Sequence, residues 1–289
     1  YDGDLGTVLT DTNTLYKGRR TDPVEHTKLA HEHGFTREAI GAEVFIAGSP
    51  EGQATESIRI DQQYIKEAFV EPFFAGVSSI VGIAHFKGHI MTGFGGALKN
   101  IGMGCASRKG KLAQHCDVSP IIWEKSCIGC ATCLTVCPVQ AICMVDKKAR
   151  IDKEKCIGCA TCIAVCPVRA IDVPWETGAS VIQEKMIEYA WAVLKDKKNT
   201  SAFINFATKI TKECDCLAQD DPRITPDVGI FVSLDPVSLD MATYETVVAA
   251  AGKDVFNEAH PQRDGLKQIK HAQKIGLGSA QYELIKIDG

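Results

Sequence analysis

A sixteen-residue phrase occurs twice in this 289-residue chain, as CIGCATCLTVCPVQAI at residues 127–142 and CIGCATCIAVCPVRAI at residues 156–171, a displacement of 29 positions. Each copy carries four cysteines as C-x2-C-x2-C-x3-C-P. Three thiols at i, i+3 and i+6 can wrap three irons of a cubane, but the fourth must come from elsewhere. In the bacterial two-cluster arrangement it comes from the other repeat. The spacing therefore predicts two 4Fe–4S clusters. One takes Cys127, Cys130, Cys133 and Cys166, the other Cys156, Cys159, Cys162 and Cys137. Gly129 and Gly158 let the loops pass close to inorganic sulfide without a Cβ, and Pro138 and Pro167 end them rigidly. Structural zinc is the alternative, since four-cysteine sites also bind that metal. Zinc sites, however, separate two C-x2-C pairs by a longer stretch.

Thirteen cysteines, eight of them in these runs, point to a reducing cytoplasm rather than to disulfides. The formal charge of −4 gives no basic field for nucleic acid or an anionic membrane. No apolar run approaches the roughly 20 residues of a spanning helix. No secretory leader is visible in a chain that opens at Tyr1.

Around the repeats, residues 1–120 and 176–289 alternate short apolar runs with helical patterns. Strands are predicted at residues 7–10, 44–47, 203–206, 228–232 and 282–287. A continuous apolar run at 79–84 reads as a strand buried on both faces. Asp22-Pro23 and Asp235-Pro236 open helices, which Gly34 and Gly252 close. Ile182, Met186, Tyr189, Ala190 and Val193 form a helical stripe, and residues 264–275 read as helical. The expected architecture is an α/β domain interrupted at residues 121–175 by an inserted α+β ferredoxin-like two-cluster module.

Several phrases outside the repeats are specific. They are LTDTNTLYKGRR (9–20), AHFKGH-x-x-TGFGGALKNIGMGCASRKGK (84–111), CDC (214–216), PDVGI-x-x-SLDPVSLD (226–240) and IGLGSAQYELI (275–285). With the clusters they resemble the Domain of Unknown Function 362 family, in its form described as an uncharacterised Fe–S centre protein. The resemblance spans nearly the whole chain. It implies a ferredoxin module within an α/β domain, and a further α/β segment before the stretch matching Thr7 that this chain lacks. It names no reaction.

His85, Lys87 and His89 lie at i, i+2 and i+4, so an extended backbone turns all three to one side. With Lys99 they are the candidate catalytic residues. Gly93, Gly95 and Gly96 offer an amide nest for an anion, against the plainer reading of a tight connection. The loop lacks the Walker pattern. His85 with His89 could hold a transition metal if Cys214, Cys216, Asp11 or His115 supplied further ligands. Cys214 and Cys216 read equally as a redox pair, a metal site, a docking point or ordinary thiols. Asp11, Asn13, Arg19 and Arg20 would join His85 if both strands ended at one sheet edge. Asp235 and Asp240 read as a helix N-cap and a first-turn acid. Cys143 and Cys105 read as buried structural thiols, as does Cys116, and Arg108, Lys109 and Lys111 as a solvated face.

The function these features favour is iron–sulfur electron transfer, delivering electrons to a small-molecule site in the α/β domain of an oxidoreductase. A redox partner protein is expected. The alternative is a non-enzymatic carrier or docking subunit. A third reading makes the clusters structural. No flavin or nicotinamide fingerprint occurs.

Overall fold

The computed structural model describes residues 6–15, 18–48, 54–115, 119–174, 181–216 and 221–287. In chain order the elements begin β1 (Val8–Thr12), α1 (Pro23–Glu32), α2 (Arg37–Ile40), β2 (Glu43–Ala47), β3 (Glu56–Arg59), β4 (Glu67–Val70) and α3 (Pro72–Gly76). Next come β5 (Val81–His85), β6 (Lys87–His89), β7 (Gly93–Gly95), α4 (Ala97–Gly104) and α5 (Arg108–His115). The cysteine repeats supply β8 (Ile121–Ile122), α6 (Thr132–Thr135), β9 (Ile142–Val145), β10 (Lys148–Ile151), α7 (Thr161–Val165) and β11 (Ile171–Asp172). The chain continues with α8 (Ile182–Leu194), β12 (Ala202–Ala207), β13 (Gly229–Ser233), α9 (Pro236–Ala251), α10 (Val255–Ala259) and α11 (Lys267–Lys274).

Two compact units result. The first comprises Tyr1–Ser57, Phe69–Ala75 and Cys105–Ala179, the second Ile58–Ala68, Gly76–Gly104 and Ser180–Gly289. The units are not divided at 120 and 175, where the sequence places domain boundaries. The reason is packing: the repeat cysteines share one buried cluster with Leu15 and Leu112.

In the first unit β1 and β2 pair in parallel. Helix α1 starts where Asp22 accepts the Val24 and Glu25 amides and Pro23 sets the first turn. Each repeat then forms strand, loop, short helix and strand. The halves cross-pair only within antiparallel ladders, β8 with β11 and β9 with β10. The sequence repeat is also a backbone repeat: Ala131 and Ala160 both turn left-handed, at φ 61° and 62°, as do Gln140 and Arg169, at 50° and 54°. Left-handed geometry costs a Cβ-bearing residue about 1 kcal/mol or more, so its recurrence at matched positions marks loops held by their surroundings. Cys143, expected in the core, is exposed because strand alternation buries its neighbour Ile142 instead.

The basic run of α5 is not a solvated face. Arg108 and Lys111 are only 1% and 7% exposed. Lys111 Nζ donates to Thr12 Oγ1 at 2.8 Å and to the Ala106 carbonyl at 2.5 Å, and Arg108 donates to the Thr21 carbonyl. Burial pushes Lys111 down to about 8 against the pull of Glu71. Burial raises Glu71 in turn, with Lys111 and Arg108 opposing.

In the second unit β12 lies between β5, parallel to it, and β13, antiparallel. Strand β5 is not buried on both faces: Val81 and Ile83 are 64% and 52% exposed, and Ile83 lies in register with Ile204 and Val232. Helices cover only the other face. Helix α9 is capped by Asp235 and closed by left-handed Gly252. Helix α8 is buried nearly all round and meets α4 at Gly102, where a Cβ would fall 2.2 Å from the Met186 carbonyl oxygen. Phe86, Phe94, Tyr244 and Phe256 pack as an aromatic cluster. Residues 282–287 form no strand. Its hydrophobic side chains Leu284, Ile285 and Ile287 are exposed, so no face of the segment is buried to hold it in a ladder. Among the described residues, no helix is long and apolar enough to cross a membrane.

Candidate functional site

The repeats of the first unit enclose two hollows. One, partly open to solvent, is lined by Cys127, Cys130, Cys133 and Cys166. The other, likewise partly open, is lined by Cys137, Cys156, Cys159 and Cys162. Each hollow thus gathers three thiols from one repeat and one from its twin. The remaining walls are apolar, among them Ile128, Ala149 and Val168 in one and Val136, Ile151 and Ile157 in the other. Helices α6 and α7 are too short to be held by propensity. They sit where each loop brings its third cysteine inward.

Donors to sulfur recur with the repeat. The Ala141 and Ala170 amides donate to Cys137 and Cys166 Sγ, both at 3.2 Å. The Thr132 and Thr161 hydroxyls donate to Cys130 and Cys159 Sγ, both at 3.4 Å. Burial pushes the Cys162 and Cys133 thiols up, with the neighbouring cysteines adding to it. Such donors and such burial are what tune a sulfur-ligated metal centre. Four thiols converging on one apolar hollow fit a cubane: four soft donors, and space among them.

The second unit holds a different cluster. His85 ends β5, and Lys87 and His89 bound β6, so alternation turns all three toward the segment at 214–216. Asp215 is the hinge of one half. Its Oδ2 accepts from Lys87 Nζ at 2.6 Å and lies 2.9 Å from His85 Nδ1. His85 Nε2 lies 2.8 Å from the Thr208 carbonyl. Both His85 nitrogens therefore face oxygen acceptors, and His85 is not the metal-ligand partner of His89 that the sequence suggested. Burial works to raise Asp215, but His85 and Lys87 prevail and hold its carboxylate well below the usual range.

The other half is sulfur. Lys99 Nζ donates to Cys214 Sγ at 3.4 Å, and the Cys216 amide approaches the same sulfur at 3.5 Å. The Cys216 side chain holds Cys214 down to about 4, against burial and with help from Lys99 and Lys87. Burial opposes the charge on Lys99, yet Cys214, Cys216 and Asp215 together keep it above its ordinary value. His89 joins Cys214 and Cys216, their donor atoms all lying within 4.8 Å of one another.

The glycine-rich stretch does not form an open nest of amides. Gly93 and Gly95 lie in the β6–β7 ladder, and a Cβ at Gly96 would fall 2.3 Å from Asp240 Oδ1. The amides that open α4, those of Ala97 and Leu98, donate to Asp240 at 2.8 and 2.9 Å. Asp240 is thus no first-turn acid of its own helix. It caps α4, a role the sequence did not reveal because 143 residues separate it from Ala97. Asp215 was also missed as a partner, though its place between two cysteines was visible. Asp11 and His85 share no sheet edge, since β1 pairs with β2 in the first unit and β5 with β12 in the second. Cys105 is buried, and Cys116 lies outside the described residues.

These features define a mixed α/β chain with two crossed cysteine quartets in one unit and a histidine–cysteine–lysine cluster in the other. It matches the family model "Domain of unknown function (DUF362)" over residues 2–245 and belongs to that family. No curated protein and no solved structure matches it.

Proposed function

We propose that this chain is a cytoplasmic electron-transfer protein carrying two 4Fe–4S clusters in a ferredoxin-like arrangement. Cys127, Cys130, Cys133 and Cys166 hold one cluster, and Cys156, Cys159, Cys162 and Cys137 the other. The single observation that carries this reading is the sorting of eight thiols into two hollows, each with three donors from one repeat and the fourth from its twin. A chance cysteine-rich core has no reason to exchange the fourth donor. Bound clusters would supply one-electron chemistry. The chain's own part is to supply thiolates, donate N–H and O–H groups to them, and surround them with apolar walls.

The charged cluster at His85, Lys87, Lys99, Cys214 and Asp215 favours a small-molecule site in the second unit over a bare carrier. Paired cations beside partly exposed acceptors suit an anionic or carbonyl substrate, reduced by electrons from a partner protein. The test begins with anaerobic purification. About eight irons and eight sulfides per chain are expected. In Cys137→Ala, the cluster of the second repeat is lost while that of the first stays. Iron-free, folded protein, or one metal per repeat, would sink the redox reading. Loss of the first repeat's cluster in that variant would sink the crossed ligation.

A further inference from the structure

We infer that His89, Cys214 and Cys216 form a site for one borderline-soft divalent ion of the zinc type, distinct in its ligands from the two cysteine quartets. The inference goes beyond the iron–sulfur reading and does not rest on it. The three donor atoms lie within 4.8 Å of one another. Tetrahedral zinc, with bonds of about 2.3 Å to sulfur and about 2.0 Å to nitrogen, needs donors about 3.6–3.8 Å apart. A closure of about 1 Å therefore completes the site, within the reach of side-chain rotation.

Both supports are fixed. His89 and Cys214 are 8% and 7% exposed, and Cys216 is half-buried, so the site is walled yet reachable. His89 sits in a paired strand opposite Gly93. Its ring is oriented by Thr92, whose Oγ1 lies 3.0 Å from Nδ1 and donates to the Phe94 carbonyl at 2.8 Å. The Met91 and Thr92 amides also donate to Nδ1, both at 3.2 Å, so the ring is held on that side. Ligation by the imidazole requires a bare ring nitrogen, so ion binding shifts or displaces the ring proton.

Two rivals are weaker. Lys99 and Lys87 place positive charge nearby, but Lys87 is paired with Asp215 at 2.6 Å, and Lys99 donates to a sulfur that would itself be anionic. In this structure Cys214 and Cys216 are both free thiols rather than a disulfide. Three protein donors also leave a fourth tetrahedral position, the mark of a reactive rather than a structural zinc site.

The experiment uses the full-length holoprotein, incubated anaerobically with excess zinc, desalted and analysed for metals. Wild type is compared with Cys214→Ser/Cys216→Ser and with the milder Cys216→Ser. About one more zinc per chain is expected in wild type than in either variant, with iron content unchanged. Zinc X-ray absorption on wild type alone should show a mixed shell of sulfur and imidazole, which keeps the proposal testable if the double variant does not fold. Equal zinc in wild type and Cys216→Ser, an all-sulfur shell, or a Cys214–Cys216 disulfide in freshly purified protein would overturn it.

Discussion

Asp240 is fully buried, and its neighbours dictate what its replacement must do. Oδ1 accepts the Ala97 amide and Asn205 Nδ2 at 2.8 and 2.7 Å, and Oδ2 accepts the Leu98 amide at 2.9 Å. In Asp240→Asn one oxygen becomes an NH2 group. Whichever oxygen is lost, at least one donor then faces another donor. Each buried orphan costs about 1–3 kcal/mol, and the lost charge at the start of α4 about 0.3–1 kcal/mol more. Burial, however, raises the Asp240 carboxyl from 3.8 to about 6, with Asn205, Leu98 and Ala97 opposing. Between those values the folded chain binds more protons than the unfolded one, so wild-type stability falls as pH rises. The full fall is about 3 kcal/mol. Asp240→Asn lacks this titration. The variant should therefore be less stable at every pH, by the widest margin near pH 4 and by about 1–4 kcal/mol above pH 6.5. Hydrogen exchange of the α4 amides, corrected for intrinsic rates, reads this opening free energy for the second unit alone. A gap that widens as pH rises would refute the reasoning, because it would mean the fold stabilises the Asp240 anion.

Other consequences can be checked as directly. Gly102→Ala places its Cβ against the Met186 carbonyl at 2.2 Å, and a backbone oxygen cannot rotate away. The second unit should lose about 1–3 kcal/mol despite the higher helix propensity of alanine, seen as a lower melting temperature by Trp191 fluorescence. Lys111 is held at about 8 in the fold against 10.5 when unfolded. Between pH 8 and 10.5 the unfolded chain binds the extra proton, so stability should rise by up to about 3 kcal/mol over that window. Hydrogen exchange of α5 should show this rise, and the Glu71→Gln/Lys111→Met variant should abolish it.

What was legible in the sequence depended on range. Local signals carried far: Asp22-Pro23 and Asp235-Pro236 open α1 and α9, and Gly252 closes α9, because caps and stops act within a turn. The doubled cysteine phrase carried further, since a repeated loop repeats its backbone down to the left-handed alanines. The errors lie where burial is decided by distant partners. Alternation in β5 was hidden because both its inward and its outward positions are apolar. Lysine and arginine in α5 read as solvated until Thr12, Thr21 and Glu71 of distant segments came in to receive them. The i, i+2, i+4 face of His85, Lys87 and His89 followed from strand geometry. That it would meet Cys214, Asp215 and Cys216 did not, because nothing local ties positions about 130 residues apart.

The two cysteine quartets are twins in sequence, yet their surroundings differ in a way that should separate their potentials. Each quartet receives a backbone amide and a threonine hydroxyl at matched distances. Exposure runs both ways: Cys130 is exposed where its counterpart Cys159 is half-buried, but Cys127 and Cys166 are buried where Cys156 and Cys137 are half-buried. Charge does distinguish them, since exposed Arg169 follows Cys166 of the first quartet where exposed Gln140 follows Cys137 of the second. On the proposed iron–sulfur reading, a nearby cation favours the more negative, reduced cluster. The first quartet should therefore be reduced at the higher potential. A unit charge about 10 Å away in nearly aqueous surroundings is worth about 0.4 kcal/mol, or about 20 mV for one electron, and less at high salt. Arg169→Gln, made in the Cys137→Ala background that keeps only the first quartet's cluster, should lower that cluster's midpoint by about this much at low ionic strength. A salt-independent shift, or none, would show that Arg169 does not act on the first quartet through its charge.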